Sequence, residues 1–186
     1  MDDSALIQKF CQNGDRDAAR ELLERYERPL FNYLWQMLRH TQDSEDALQE
    51  CFGKVLRALP RYREENHFKS WLYRIAHNEG LNTIRRRKRF VVDPDPTELA
   101  EDPLTSSPID APNEIDGQER AELLQNAVGQ LPDHEREVIL LRLQADLPFK
   151  EIARITDSPI GTVLARMHNA KKRLKKILSP ELAMES

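Results

Sequence analysis

The chain has 186 residues, of which 39% are hydrophobic, with a formal net charge of −4 and two cysteines. That length and apolar content suit one large domain or two small ones, each with its own core, while no apolar run is long enough to cross a bilayer. The cysteines, Cys11 and Cys51, lie far apart and argue against a disulfide framework, and the six glycines form no phosphate-cradling loop.

Nor do the five histidines stand in a metal-ligand spacing, and there is no HExxH and no paired CxxC. The expected catalytic residues, metals and cofactors are therefore none. The opening Met1-Asp2-Asp3 does not read as a secretory leader, so the expected location is cytoplasmic, without membrane insertion.

Ser4 to Gln12 predicts a short helix ended by Asn13-Gly14. Asp15 then opens a longer one through Ala18, Leu22, Leu23 and Tyr26, with a kink or restart at Pro29. Phe31, Leu34, Trp35 and Leu38 continue its apolar face. Beyond Thr41-Gln42, Asp43 or Ser44 is the expected cap of a third helix, in which Leu48, Phe52, Val55 and Leu59 fall on one stripe. Asp46, Gln49 and Glu50 lie on the opposite arc, and a merely solvated outer face is the ordinary meaning of such a pattern.

A fourth helix is predicted from about Phe68 to Arg87. Its apolar positions Phe68, Trp71, Leu72, Ile75 and Ala76 leave a ridge of Arg74, Asn78, Asn82 and Arg85 that runs into the block Arg85, Arg86, Arg87, Lys88 and Arg89. Cations along such a ridge can track a nucleic-acid backbone while the amides reach bases. Before it, the loop from Arg61 to Lys69, with Tyr62, Asn66, His67 and Phe68, is a polar and aromatic mixture able to receive an unstacked base. Trp71 itself reads as core rather than as a stacking platform, because it belongs to the apolar face.

From Phe90 to Glu119 there are nine carboxylates, five prolines and no lysine or arginine. Proline removes backbone donors and like charges repel, so residues 90–116 are expected to form a flexible acidic linker between domains spanning 1–89 and 117–180. A long surface loop within one domain is the alternative, though loops of that length are uncommon in compact domains.

After it, helices are predicted over Gln118 to Gln130 and Asp133 to Leu143, and then a helix-turn-helix. Its first helix holds Lys150 to Ile155, and Thr156-Asp157 make the turn. Ser158 is the expected N-cap, with Pro159 at the first helical position. Ile160, Val163, Met167, Ala170, Leu174 and Ile177 mark the buried stripe of its second helix. Thr162, Ala165, His168, Asn169 and Lys172 face away from that stripe and Arg166 flanks it, a face suited to the major groove. An ordinary helical hairpin is the alternative, and the absence of any acid between Ile160 and Ser179 counts against it. The fold class expected is all-α, with two small helical domains.

At three places these residues carry a resemblance. Asp43 to Phe52 is similar to the DAEDLVQEVF segment of region two in RNA polymerase sigma factors, and Phe68 to Asn78 is similar to its FRSWLYRIARN continuation. Leu131 to Leu178 resembles region four, with Leu131-Pro132, Glu151-Ile152-Ala153, Gly161-Thr162-Val163 and Lys172-Arg173-Leu174. The order and spacing, without a recognisable region three, resemble the compact extracytoplasmic-function (ECF) group of the sigma-70 family.

That resemblance implies that Asp46, Gln49 and Glu50 bind the β′ clamp helices of core RNA polymerase. It implies that Arg61, Asn66, His67, Lys69, Arg74, Asn78, Asn82, Arg85 and Arg86 engage the minus-ten element of promoter DNA. Thr162, Ala165, Arg166, His168, Asn169 and Lys172 would read the minus-thirty-five element, with region four resting on the β flap. It further implies transcription initiation rather than enzymatic activity, an acidic linker that threads toward the active site, and control by an anti-sigma factor or another signal. Leu164, Ala165 and Asn169 depart from the polar or basic residues common there, and Pro148 stands where a Ser or Thr cap is usual, leaving Asp146 to cap that helix. A repressor or activator that binds duplex DNA without polymerase, or a helical adaptor for acidic proteins, are the other classes compatible with the charges.

Overall fold

This computed structural model describes residues 2–63, 67–90 and 115–182. Among them every regular element is helical, as the sequence predicts. The amino-terminal unit holds α1 (Asp3–Asn13), α2 (Arg16–Leu38), α3 (Thr41–Ala58), a 3-10 turn at Leu59–Arg61 and α4 (Phe68–Phe90). The carboxy-terminal unit holds α5 (Ile115–Gly129), α6 (Asp133–Leu143), α7 (Phe149–Ile155) and α8 (Ile160–Leu182). The expected linker lies outside the described residues over 91–114.

Local chemistry sets the helix ends. Asp2 caps α1 by accepting from the Ala5 N–H at 2.8 Å, and Gly14 closes it in the left-handed conformation at φ 65°. Asp15 caps α2 through the Asp17 and Ala18 N–H groups. Of the kink or restart expected at Pro29, the restart does not occur, for α2 runs unbroken through it. Proline removes the donor that would face the Arg25 carbonyl and crowds that carbonyl with its ring, a cost offset by Leu22, Tyr26, Leu30, Tyr33 and Leu34, which bury a continuous face on both sides of it.

The third cap also differs from expectation. His40, not Asp43 or Ser44, caps α3, its Nδ1 accepting from the Asp43 N–H at 3.2 Å. Ser44 is buried inside the helix and donates back to the His40 carbonyl at 2.7 Å.

α3 buries Leu48 and Val55 against α2 and α4, with Phe52 half-buried and Leu59 closing the stripe. Burial pushes the Cys51 thiol up to about 12, with Glu79 adding and Lys54 opposing, whereas Cys11 is exposed and shifted upward only by partial desolvation. Since the thiolate is the reactive form, a maleimide at pH 8 is expected to label Cys11 alone until denaturant is added. Equal labelling of both thiols in the folded chain would contradict this packing.

In the carboxy-terminal unit, Val138, Leu141, Ile152, Val163, Met167 and Ala170 form the buried centre. Ile160 is a correction: its spacing places it on this stripe, yet at the first position of α8 it is 51% exposed, and burial on the stripe begins at Val163. Asp146 does not cap α7. It adopts φ 47° and pairs with Arg142, while Pro148 occupies the N-cap and its carbonyl accepts from the Glu151 and Ile152 N–H groups. The Pro159 carbonyl does the same for Thr162 and Val163 at the start of α8. The Ser158 hydroxyl, expected to cap that helix, instead donates to the Thr156 carbonyl at 3.0 Å.

The two units touch along a seam where α2 packs on α6 and α4 on α7.

Candidate nucleic-acid and protein interfaces

Asp46, Gln49 and Glu50 are all exposed on α3, as the stripe opposite them requires. Asp46 accepts one hydrogen bond, from Gln42 Nε2 at 3.1 Å on the same helix, so its charge stays available. α4 crosses close by, held by an ion pair between Lys54 Nζ and Glu79 Oε1 at 2.5 Å. As a result Asp46, Gln49 and Glu50 share one cleft of about 230 Å³ with Asn82 and Arg86. Sequence spacing separates these two groups, and the α3–α4 packing brings them together.

Arg74, Asn78, Asn82 and Arg85 are likewise all exposed and form the predicted ridge. Arg85 Nη1 lies 3.5 Å from Asn82 Oδ1, a contact too long to hold either group. Arg86 is exposed. Arg87, however, is tied inward, donating to the Leu38 carbonyl at 3.0 Å and pairing with Asp43, so one cation of the basic block holds α4 to α2 and α3. That role had no signal in the sequence beyond an arginine among arginines.

At the head of α4, Arg61 and His67 are exposed and Lys69 is half-buried, while Asn66 lies outside the described residues. Tyr62 packs on Trp71 with ring centroids 4.8 Å apart, and Phe68 reaches Trp71 at 5.7 Å. Phe68 is core, but Tyr62 and Trp71 are half-buried. Trp71 is thus part of an aromatic cluster with an accessible edge rather than a purely internal residue.

On α8, Thr162, Ala165, His168, Asn169 and Lys172 are exposed, as predicted. Arg166 is half-buried and donates to Ser158 Oγ at 3.1 Å, so it braces the turn ahead of α8 as well as flanking the exposed face. Farther along, Arg173 Nε sits 3.2 Å from Oε1 and 3.0 Å from Oε2 of Glu135, a buried carboxylate of α6, and fixes the rear of the helix. The open N-terminal turns also expose Ile160 and Leu164. Among the described residues no cluster of histidine, cysteine or carboxylate side chains is arranged for a metal, and no helix is long and apolar enough to cross a membrane.

A further pair escaped the sequence entirely. His77 of α4 is 2% exposed, with Nδ1 3.0 Å from the Tyr33 hydroxyl and Nε2 2.9 Å from Glu137 Oε1 on α6. A carboxylate only accepts, so Nε2 carries the proton in that contact. Burial first, then the negative charge of Glu137, hold the Tyr33 phenol well above its ordinary range.

Two family models match in the order in which these surfaces occur, sigma-70 region 2 over residues 22–90 and sigma-70 region 4 over residues 121–174. The RNA polymerase sigma-H factor of Pseudomonas aeruginosa is 32% identical across 97% of this chain and 95% of its own length. The chain belongs to the sigma-70 family. The sigma factor is also 30% identical to the ECF RNA polymerase sigma-E factor of Haemophilus influenzae, with 97% of each chain covered. Its counterpart in Escherichia coli is 31% identical over 97% of this chain and 96% of that one. The ECF group is therefore its place within a family of transcription initiation factors.

Two solved structures share the fold of this sigma factor. One is RpoE of Bartonella quintana in complex with the anti-sigma factor NepR, with a TM-score of 0.71, 23% identity and coverage of 86% of this chain and 96% of that one. The other is CnrH in complex with the cytosolic domain of CnrY, with a TM-score of 0.64, 21% identity and coverage of 96% and 99%.

Proposed function

We propose that this ECF sigma factor binds core RNA polymerase, directs it to promoters through minus-ten and minus-thirty-five elements, and opens the DNA there. The observation that carries this reading is the ordered pair of sigma-70 regions, with Asp46, Gln49, Glu50, Arg74, Asn78, Asn82, Arg85 and Arg86 of the first and Thr162, Ala165, His168, Asn169 and Lys172 of the second all exposed. In this assignment Asp46, Gln49 and Glu50 meet the β′ clamp helices. The loop from Arg61 to Lys69 receives a flipped non-template base, and Arg74, Asn78, Asn82, Arg85 and Arg86 hold the single strand. Region 4 rests on the β flap and inserts the first turns of α8 into the minus-thirty-five duplex. The domain limits 1–89, 90–116 and 117–180 describe these two grips and the acidic tether between them.

Opening needs no nucleotide fuel. Extruding a base costs a few kcal/mol, and stacking on an aromatic side chain returns about 1–3 kcal/mol per base. Half-buried Tyr62 and Trp71, packed on buried Phe68, offer the aromatic surface, and the cations of α4 offset strand repulsion. The named relatives that carry NepR and the cytosolic domain of CnrY support control of this factor by an anti-sigma protein as well. Such a protein acts where polymerase and DNA are, in the cytoplasm.

Run-off transcription with purified core polymerase on DNA of the source organism, followed by sequencing of the RNA starts, tests the reading. Discrete starts that depend on the added factor are expected, and their absence would refute it. Within region 4, Asn169→Ala should cut use of the preferred minus-thirty-five sequence by about tenfold, the worth of one bidentate adenine contact, with non-specific duplex affinity unchanged. An unaltered ranking of promoter variants would remove Asn169 from the reading face.

A further inference from the structure

Two of the four large apolar side chains that stay exposed among the described residues sit at the start of α8, Ile160 at 51% and Leu164 at 46%. One helical turn separates them, so they share a side of the helix. Their surroundings are cationic. Lys171, Lys172, Lys175 and Lys176 follow on the same helix, all exposed, and no acid lies between Ile160 and Ser179.

Between the two, Gly161 is exposed as well. A Cβ added there would meet no atom within 4 Å, and its φ is not positive, so neither packing nor backbone conformation calls for glycine. Glycine is nonetheless a poorer helix former than any residue but proline. A helix that carries one where nothing inside the chain requires it leaves that space to something outside. Side chains on an α-helix lean toward its N-terminus. Leu164 and Ala165, three and four residues after Gly161, therefore lean over it, and both are exposed. The result is an open apolar notch, floored by the Gly161 backbone and walled by Leu164 and the Ala165 methyl, with Ile160 at its rim. What it lacks is a single Cβ, so a methyl group fills it.

His168 and Asn169 stand one turn farther on, on the face that the promoter reading turns toward duplex DNA. In the major groove the bases present hydrogen-bonding edges, and the one apolar group is the C5-methyl of thymine. An anionic duplex also matches the cations around the patch.

We propose that Gly161, Leu164 and Ala165 form a receptor for a thymine methyl, so that the minus-thirty-five element of this factor carries a thymine opposite the first turns of α8. Ile160 covers the neighbouring pair. This rests on the promoter reading above and adds to it the chemical group that is read and the residues that read it.

The test uses holoenzyme assembled from the full-length factor and core polymerase. Promoter duplexes that differ only in thymine or deoxyuridine within the minus-thirty-five element compete for it, since that exchange removes the methyl and leaves every hydrogen-bonding edge in place. At one thymine the wild-type factor is expected to lose about fourfold in affinity, the worth of one buried methyl. Leu164→Ala and Gly161→Ala should each abolish the preference. Gly161→Ala should at the same time raise the melting temperature of the free factor by about 2–4 °C, a sign opposite to that of a residue needed for the scaffold. A wild-type factor indifferent to every such exchange, or a minus-thirty-five element without thymine, would overturn the proposal, as would variants that keep the methyl preference. If Leu164→Ala instead weakens assembly with core polymerase and leaves the preference intact, the patch is a protein contact and the notch is refuted. A duplex with a scrambled minus-thirty-five element separates the two readings. Binding it as well as the intact promoter would sink the promoter reading itself, whereas discrimination against it without a methyl effect removes the notch alone.

Discussion

Asp46→Arg is expected to weaken binding of the sigma factor to core RNA polymerase by about thirtyfold or more, the range for reversing a charge that becomes desolvated in a complementary interface. The side chain is exposed, and its one hydrogen bond comes from Gln42 on its own helix, so the change leaves the bundle intact. The loss should shrink as salt is raised, since the wild-type attraction is screened while the variant has little left to screen. Glu50→Arg on the same face should act in the same direction, and Glu45→Arg should act less because it lies off the Asp46–Gln49–Glu50 arc. Competition of each variant against labelled wild type for core enzyme measures this directly. If Asp46→Arg competes as well as wild type, the polymerase face lies elsewhere on the molecule.

What could be read from the sequence follows a physical pattern. Helices α3 and α8 were legible because one covering layer gives a clean 3.6-residue stripe, so Leu48, Val55, Val163, Met167 and Ala170 all bury as their spacing demands. The same rule failed at Ile160, since periodicity continues into a turn that no neighbour covers. The start of α2 was legible at Asp15, whose short side chain reaches its own backbone, whereas Ser158 turns back to the Thr156 carbonyl instead. His40 was missed because histidine is a rare acceptor at that position. Exposure of the polymerase and promoter candidates was legible as the complement of the stripes, though their roles came from resemblance rather than from geometry. Hidden altogether were pairings between residues remote in sequence: His77 with Glu137, Arg87 with Asp43 and Arg173 with Glu135 depend on how helices are placed, which no local pattern encodes.

The pair Arg85→Ala and Arg86→Ala should slow open-complex formation by about tenfold at moderate salt and lower its salt dependence by about 1.4 in the logarithmic slope, at roughly 0.7 for each single-strand phosphate that is no longer neutralised. Both side chains are exposed at the end of the ridge, and neither holds the bundle together. Arg87 supplies the contrast, because it bonds the Leu38 carbonyl and pairs with Asp43. Arg87→Ala should therefore lower the melting temperature of the factor, whereas the double variant should leave it unchanged. Permanganate reactivity of thymines around the start site, followed in time at several salt concentrations, reads the opening itself. Unchanged reactivity and slope in the double variant would mean that the strand passes elsewhere. A fall in reactivity accompanied by a fall in melting temperature would assign the two arginines to scaffolding instead, because a cation that only touches DNA contributes nothing to the folded state in its absence.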